Sequence, residues 1–452
     1  MWEARVLRRV SICTLGCKAN QADSAALAGL FRERGYEVVE FPAPADVYVI
    51  NTCTVTHLGD KKSRQMIRRA VRANPDAVVV VTGCYAQVAP EAVAGLPGVR
   101  LVVGTAERGQ LVDLVEEAAR TGRPRVLVGD LRRRREFEEL GPAVFETRAR
   151  AWVKIQDGCE NFCTYCVVPR ARGPVRSRRP ESVLREVERL LGEGYGEIVL
   201  TGIHIGAYGQ DLGDTGLVDL LRRLVNLPGL RRMRLSSIEP PEVTPELIRL
   251  MADSAVICRH LHIPLQSADD GVLRRMGRRY TGEEYRRLVE AIKKRIPGVA
   301  ITTDVMVGFP GEDEEAFRRT REFVETVGFA RTHVFQYSRR PGTPAAGFAD
   351  QVPPAVKEER SREMIAVAAR AARRFAEQFV GVTMEVLVER PRDRGWWEGL
   401  TDNYLRVLFR NGEKLEGGLV AVRLIGLAGT VLLGEGCEKG TDRGRNCGGA
   451  VE

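Results

Sequence analysis

Nowhere in this chain do apolar residues approach the roughly 20 in succession that a membrane-crossing helix requires, so no spanning helix and no membrane association is predicted. The opening MWEARVLRRVSICTLGC has basic residues but no apolar stretch ending in a small-residue cleavage site, and does not read as a secretory leader. Without an export signal, ten cysteines are not a disulfide framework; they are expected as reduced thiols serving metal chemistry in a cytoplasmic protein. Acidic side chains are in the minority. Sixty Asp and Glu against 69 Lys and Arg leave a net charge of +9, which favours an acidic partner, nucleic acid being the commonest. At 452 residues, 44% apolar and 29% charged, the chain is an ordinary globular protein of two or three domains.

The most informative shortage is of a fourth cysteine. Cys159-Glu-Asn-Phe-Cys163-Thr-Tyr-Cys166 lets one short loop wrap three thiolates around one face of an iron–sulfur cube. A 4Fe-4S cluster has four irons, so one would be left without a local protein ligand and able to bind a small molecule. A zinc site would favour paired Cys-x2-Cys halves, and a ferredoxin loop would supply four cysteines. The spacing, with an aromatic before the last cysteine, resembles the cluster loop of radical S-adenosylmethionine (SAM) enzymes. In those, SAM occupies the open iron and reductive cleavage yields a 5′-deoxyadenosyl radical.

Composition shifts divide the chain into 1–125, a linker over 126–145, 146–378, 379–437 and a tail over 438–452. In the first segment Val6–Cys13, Val47–Ile50, Val78–Thr82 and Leu101–Val103 read as buried parallel strands, with helical spacing in Asp23–Arg34 and Asp60–Asn74: a small Rossmann-like α/β domain. Cys17, Cys53 and Cys84 follow three of its strands. Loops at the carboxyl ends of parallel strands converge on one edge, so these three could form a second three-thiolate set. The bland reading makes each a small buried residue. Cys13 is expected to point into the strand core, though it competes with Cys17 for the ligand position.

The linker holds the run Arg132–Arg135, read as a solvated turn or helix face. Over 146–378, strand candidates Ala151–Ile155, Glu197–Leu200, Met233–Ser236, Leu261–Ile263, Ile301–Val307 and Arg331–Tyr337 alternate with helices such as Glu181–Glu193 and Glu283–Lys294. Six βα units predict a partial TIM-type barrel with working loops at the strand carboxyl ends. A long helix, Val356–Val380, leads out. Beyond Gly381 the period becomes two, in Met384–Glu389, Tyr404–Phe409 and Leu419–Ile425, predicting a small β-barrel. The glycine-rich tail, with Cys447, is expected to be disordered.

Further strings match one family. NTCTVTHLGDKKSRQMIRRA (51–70), DGCENFCTYCVVPRARGPVRSR (157–178), LTGIHIGAYG (200–209), RLSSIEP (234–240), HLHIPLQSADDGVLRRMGRRY (260–280) and DVMVGFPGE (304–312) resemble the methylthiotransferase family of radical-SAM enzymes, over roughly residues 6–437. Such enzymes join an α/β domain with three cluster cysteines, a radical-SAM barrel and a C-terminal TRAM barrel. The 51–70 and 157–178 strings look like the branch acting on N6-threonylcarbamoyladenosine next to the anticodon of tRNA. The resemblance implies two 4Fe-4S clusters. Cys159, Cys163 and Cys166 would hold the one that cleaves SAM; Cys17, Cys53 and Cys84 would hold the one that carries the extra sulfur and takes a methyl from a second SAM. It implies also a reductant protein such as flavodoxin or ferredoxin, and a sulfur donor.

For SAM itself, Thr201 and Gly202 resemble the place where this superfamily holds the amino group. Gly308, Phe309 and Pro310 form a turn after a strand and are expected near the adenine, since glycine lets a backbone approach a flat ligand. Glu239 and Gln266, at later strand ends, are candidates for the methionine part or ribose. His204, His260 and His262 read as structural hydrogen-bonding residues.

For the tRNA anticodon stem-loop, Lys61, Arg64, Arg68 and Arg72 fall on one helical face. Arg170, Arg172, Arg176, Arg178 and Arg179 follow the cysteine loop with no acidic residue among them; both groups are expected to grip phosphates. Residues 382–437 carry seven basic and eight acidic side chains, so the small barrel would touch RNA only through a local patch. Trp396 and Trp397 either stack on bases or fill that barrel. Two other targets keep the same chemistry: isopentenyladenosine in tRNA, and an aspartate on a ribosomal protein. A non-catalytic iron–sulfur RNA-binding protein is the reading from another class.

Overall fold

The computed structural model describes residues 8–145, 149–410 and 417–437; the tail from 438, including Cys447, lies outside them. The first unit runs β1 (Arg9–Thr14), α1 (Lys18–Glu33), β2 (Glu37–Val39), β3 (Val47–Thr52), α2 (His57–Ala73), β4 (Val78–Gly83), α3 (Cys84–Val88), α4 (Pro90–Ala94), β5 (Val99–Val103), α5 (Leu111–Thr121) and β6 (Arg125–Leu127). Its parallel sheet has the order β2-β1-β3-β4-β5-β6. Two apolar clusters cover its two faces, which is why β3 and β4, VYVINT and VVVVTG, are buried at every position. β6 falls in the stretch expected to be a linker. Three residues are too short to show a period, yet they pair with β5 from Leu101↔Arg125 to Val103↔Leu127.

The second unit runs β7 (Arg150–Lys154), β8 (Gln156–Asp157), α6 (Val168–Arg172), β9 (Arg176–Ser177), α7 (Pro180–Gly192), β10 (Glu197–Thr201), α8 (Leu217–Leu224), β11 (Met233–Leu235), α9 (Pro245–Asp253), β12 (His260–His262), α10 (Asp270–Met276), α11 (Gly282–Arg295), β13 (Ala300–Val307), α12 (Glu314–Val327), β14 (Arg331–Gln336) and α13 (Pro354–Glu377). Parallel pairing joins β7-β10-β11 and β12-β13-β14, and the Ser237↔His262 bridge links the two halves. The result is the partial barrel that six βα units predict.

Alternation along these strands decides what lines the lumen. Ala151, Val153, Ile198, Leu200, Met233, Leu235, Leu261 and Ile301 pack into the apolar cluster beneath the helices. Their neighbours Arg150, Lys154, Glu197, Thr201, Arg234, His260, His262, Thr302 and Asp304 therefore face inward. A TIM-type interior is normally filled with branched apolar side chains. This one is polar, as a barrel that admits a ligand would be.

The third unit is a closed barrel of β15 (Thr383–Pro391), β16 (Trp396–Thr401), β17 (Arg406–Arg410), β18 (Leu419–Ala428) and β19 (Val431–Gly436), in the order β15-β16-β17-β19-β18. Trp397 packs into its core, while Arg410 lies over the Trp396 ring. It docks on the strand-start end of the lumen. Arg234 pairs with Glu197 at 2.8 Å and donates to the carbonyls of Thr401 and Asp402, and Arg259 pairs with Asp402 at 2.6 Å. Among the described residues no helix is long and apolar enough to cross a membrane.

Candidate active site

β1, β3 and β4 are neighbours in the first sheet, and strand neighbours lie about 4.8 Å apart. A cysteine placed just past each carboxyl end is thereby brought beside the other two. Cys53 and Cys84 immediately follow β3 and β4, and Cys17 immediately precedes α1. The loops close because Gly16, at φ +99°, has no side chain: a Cβ there would sit 2.8 Å from the Cys53 Cβ. Buried amides complete the seat. Asn20 Nδ2 donates to the carbonyls of Leu15 (2.6 Å) and Thr52 (3.0 Å), and Thr52 Oγ1 donates to Thr82 O while accepting from Tyr85 N. Burial pushes the Cys53 thiol up to about 11, with Cys84 and Cys17 adding to the effect. Cys13 stands apart; burial raises it too, but its charged neighbours are Lys62 and Arg69.

The second thiol set is one loop held at both ends. β8 and β9 pair antiparallel, Gln156↔Ser177 and Asp157↔Arg176, and close the base of the loop. Thr164 is tied to α10 through Met276 O (2.9 Å) and Arg275 O (2.8 Å). Phe162, at φ +46° and 67% exposed, forms its tip. Burial drives Cys166 up to about 12, the neighbouring Cys163 and Cys159 adding to it.

Each set also receives a guanidinium. Arg172 Nε donates to Cys84 Sγ at 3.4 Å, and Arg278 Nη1 to Cys163 Sγ at 3.5 Å. His204 Nδ1 lies 3.7 Å from Cys159 Sγ and its Nε2 2.5 Å from Glu242; burial pulls its pKa down, but those two bonds hold it up at about 10. No disulfide joins the described cysteines. Three soft sulfur donors with an N–H on one of them suit an iron–sulfur cluster better than a hard cation.

Between the two sets lies a buried ionic network. Arg172 contacts Asp23 (2.9 Å), Asp157 (3.2 Å) and Asn20; Lys154 contacts Asp23 (2.7 Å) and Asp157 (2.5 Å); Arg108 contacts Asp23 and Glu138. This corrects part of the RNA expectation. Arg172 and Arg176 are 0% and 3% exposed and cannot reach phosphates, and Arg178 pairs with Glu139 at 2.8 Å. Of that run, Arg170 and Arg179 are exposed; on α2, Lys61, Arg68 and Arg72 are exposed and Arg64 is half-buried against the Tyr85 hydroxyl.

Beside Cys163 opens a cavity of about 260 Å³ whose lining includes Asn161, His204, Glu239, Glu242, Arg278 and Arg279. Of the residues expected to contact SAM, Glu239 lines it, holding Arg278 at 2.8 Å. Thr201 Oγ1 is buried with no hydrogen-bond partner among the described residues, and Gly202 packs on the Gln156 backbone, 2.8 Å from where a Cβ would stand. Gln266 is half-buried, and its φ of +61° bends the chain so that its backbone bonds to Asp304 and Met306 on β13. The 308–310 turn is buried. Phe309 is wholly buried against Tyr165, Tyr337 and Phe348, Gly308 makes room for Lys357, and Pro310 O accepts from Arg275. The turn braces the cysteine loop from behind, since a large aromatic gains more from burial than from exposure at a ligand edge.

Several residues had no signal in any motif: Asp23, Arg108, Lys18 and Tyr404. Lys18 and Tyr404 meet at the lumen, with Lys18 Nζ 5.6 Å from the ring centroid. Deeper along the inner wall, ligand atoms of His262, Asp304 and His333 lie within 4.8 Å of one another. The charged residues alternating with apolar ones in RAWVK, MRL and HLH were a readable hint of this polar interior.

Residues 153–324 match the radical SAM superfamily, and residues 9–104 match a family described as uncharacterized protein family UPF0004. A Bacillus subtilis protein named threonylcarbamoyladenosine tRNA methylthiotransferase MtaB is 45% identical over 92% of this chain and 93% of its own. A Moorella thermoacetica protein named tRNA-2-methylthio-N(6)-dimethylallyladenosine synthase is 38% identical over 94% and 97%. In fold, the chain is similar to the radical SAM methyltransferase TsrM from Kitasatospora setae, solved with cobalamin and a [4Fe-4S] cluster: TM-score 0.55 and 20% identity, over 87% of this chain and 77% of that one.

Proposed function

Because the chain belongs to the methylthiotransferase family of radical-SAM enzymes, we propose that it places a methylthio group on C2 of N6-threonylcarbamoyladenosine next to the tRNA anticodon, with Cys159, Cys163 and Cys166 seating one 4Fe-4S cluster and Cys17, Cys53 and Cys84 a second. The observation that carries the reading is the pair of three-thiol sets on either side of one buried ionic network. Bound there, the clusters supply reductive cleavage of SAM and a seat for the transferred sulfur, with SAM serving both as radical source and as methyl donor. The chain's own residues do the rest. Glu239 paired with Arg278 and Glu242 paired with His204, together with Arg279, line the 260 Å³ cavity and offer both signs of charge to the zwitterionic end of SAM. The Thr201 hydroxyl supplies a further hydrogen bond. Arg172 and Arg278 hold one sulfur of each set by N–H donation. Exposed apolar side chains near the cysteines in the chain, Val55, Leu58 and Phe162, give a base somewhere to rest.

Radical cleavage of SAM consumes an electron and the product gains a sulfur, so a flavodoxin- or ferredoxin-type reductant and a sulfur donor complete the scheme, in the cytoplasm where tRNA is modified. The RNA surface is assigned to α2 and Arg170, with a local patch on the small barrel where Arg390, Arg392 and Arg406 surround Glu398. Replacing Arg68 and Arg72 together by Ala should weaken tRNA binding several-fold and lower the slope of log affinity against log salt by roughly 1 to 2. An unchanged slope in a binding titration would move the RNA elsewhere.

The reaction is tested anaerobically. Protein reconstituted with iron and sulfide, SAM and a strong reductant is offered tRNA bearing threonylcarbamoyladenosine, tRNA bearing isopentenyladenosine, or the ribosomal protein. Mass spectrometry of the digests should find a methylthio gain in the first alone. A gain in another tube keeps the chemistry and overturns the substrate. Deoxyadenosine without any gain overturns all three targets.

A further inference from the structure

We propose that Lys18 is the residue that selects the substrate, its ammonium pairing with the carboxylate of the threonylcarbamoyl group; this rests on the substrate reading above. Threonylcarbamoyl and isopentenyl substituents occupy the same N6 position but differ in charge, and a carboxylate inside a barrel must meet a cation. Three cations surround the Tyr404 ring: Lys18 Nζ at 5.6 Å, Arg150 Cζ at 5.8 Å and Arg234 Cζ at 4.5 Å from its centroid. Two of them are already matched, Arg150 by Glu389 and Arg234 by Glu197. Among the described residues, no hydrogen bond or ion pair reaches Lys18, whose only contact of this kind is the aromatic face.

A half-buried ammonium beside two guanidinia and without a carboxylate is costly unless an anion arrives. The arrangement is held firmly. Tyr404 adopts a left-handed φ of +67°, which a tyrosine keeps only where packing over-determines it, and its ring tilts against His260 at 4.7 Å. The position suits the substrate. Lys18 directly follows Cys17, the thiol set assigned to the sulfur, and opens α1, whose first amides have no side-chain cap and favour negative charge. In the substrate, C2 is separated from the N6 substituent only by N1 and C6. Because Lys18 neighbours Cys17, a base whose C2 approaches the Cys17 set has its N6 substituent within the region that the Lys18 side chain can reach. The carboxylates nearest this ring are already taken: Glu197 by Arg234, Glu389 by Arg150, and Asp304 by His262.

The test uses reconstituted full-length protein and two anticodon stem-loop RNAs, one carrying threonylcarbamoyladenosine and one its carboxamide. Lys18→Gln should raise KM for the carboxylate RNA by roughly 10- to 100-fold, the range of one charge-assisted bond, with a smaller change in kcat. Lys18→Arg should recover most of the loss. Wild type should handle the carboxamide poorly, and Lys18→Gln no worse than wild type. Because the readout is the ratio of two substrates in one preparation, a general loss of folding cancels. An unchanged KM for the carboxylate RNA in Lys18→Gln, or an equal loss for both RNAs, overturns the proposal while leaving the substrate reading intact. A wild-type protein that forms 5′-deoxyadenosine but thiomethylates neither RNA overturns both.

Discussion

Cys53→Ala is expected to leave SAM cleavage running while thiomethylation falls below detection, and Cys163→Ala to abolish both. The two cysteines belong to different thiol sets, one assembled from the ends of β1, β3 and β4, the other from a single loop. Removing one thiol of three leaves two ligands, too few to hold a cluster in a site that has no fourth. Iron and sulfide content should therefore halve in either variant, and 5′-deoxyadenosine, measured beside methylthio product, separates them. A Cys53→Ala protein that still thiomethylates tRNA would sink the two-cluster assignment. One that loses deoxyadenosine as well would mean the sets are not independent, and the ionic network between them gives that outcome a physical route.

Arg172→Met should be the most destabilising single change away from the cysteines. Arg172 is fully buried and satisfies Asp23, Asp157 and Asn20 while donating to Cys84. Its loss leaves two carboxylates in the interior with Lys154, Arg108 and Arg176 beside them, and breaking a buried ionic group this way costs about 3–5 kcal/mol. The acid limb of stability should move as well. Burial alone would raise the Asp23 pKa, but Arg108, Lys154 and Arg172 overcome it and hold the carboxyl well below the usual range. A depressed folded-state pKa contributes stability that is complete above the unfolded value near 4 and is lost as pH falls from there through the folded-state value. Removing Arg172 lifts the folded-state value, so less stability is present at neutral pH and the loss on acidification shrinks. Denaturant titrations should show the variant's deficit unchanged from pH 7 to pH 4 and shrinking only as pH falls further, through the folded-state carboxyl values. A deficit that stays constant on acidification well below pH 4 would assign the cost to lost packing instead of charge.

The thiols were legible because chemistry demands them close together in sequence or at equivalent strand ends. Cys159, Cys163 and Cys166 are spaced for one loop, and Cys17, Cys53 and Cys84 each follow a run of buried parallel strand. The domain order followed from period: helices at 3.6, barrel strands as apolar runs, the last domain at two. Where elements were short, period failed. β6 and the two-residue ladder of β8 with β9 carry no pattern, yet one completes a sheet and the other closes the cysteine loop.

The basic residues show the same limit from another side. An arginine run without acidic neighbours looks like a phosphate grip, and Arg170 and Arg179 are indeed exposed. Arg172 and Arg176 point inward because Asp23, far off in the chain on α1, arrives to neutralise the interior together with Asp157. The 308–310 turn is a contiguous string, but the burial of its Phe309 side chain depends on Tyr165 and Phe348 arriving from elsewhere.

By itself, then, the sequence determined the family, the two thiol sets and the order of three domains, all of which are written in contiguous motifs or local periodicity. Only the tertiary structure decided which charges are spent inside the protein and which are left for a ligand. A charge count cannot distinguish Arg172, matched by residues of two domains, from Lys18, matched by none that the structure describes, because the difference is made entirely by partners that folding brings from distant parts of the chain.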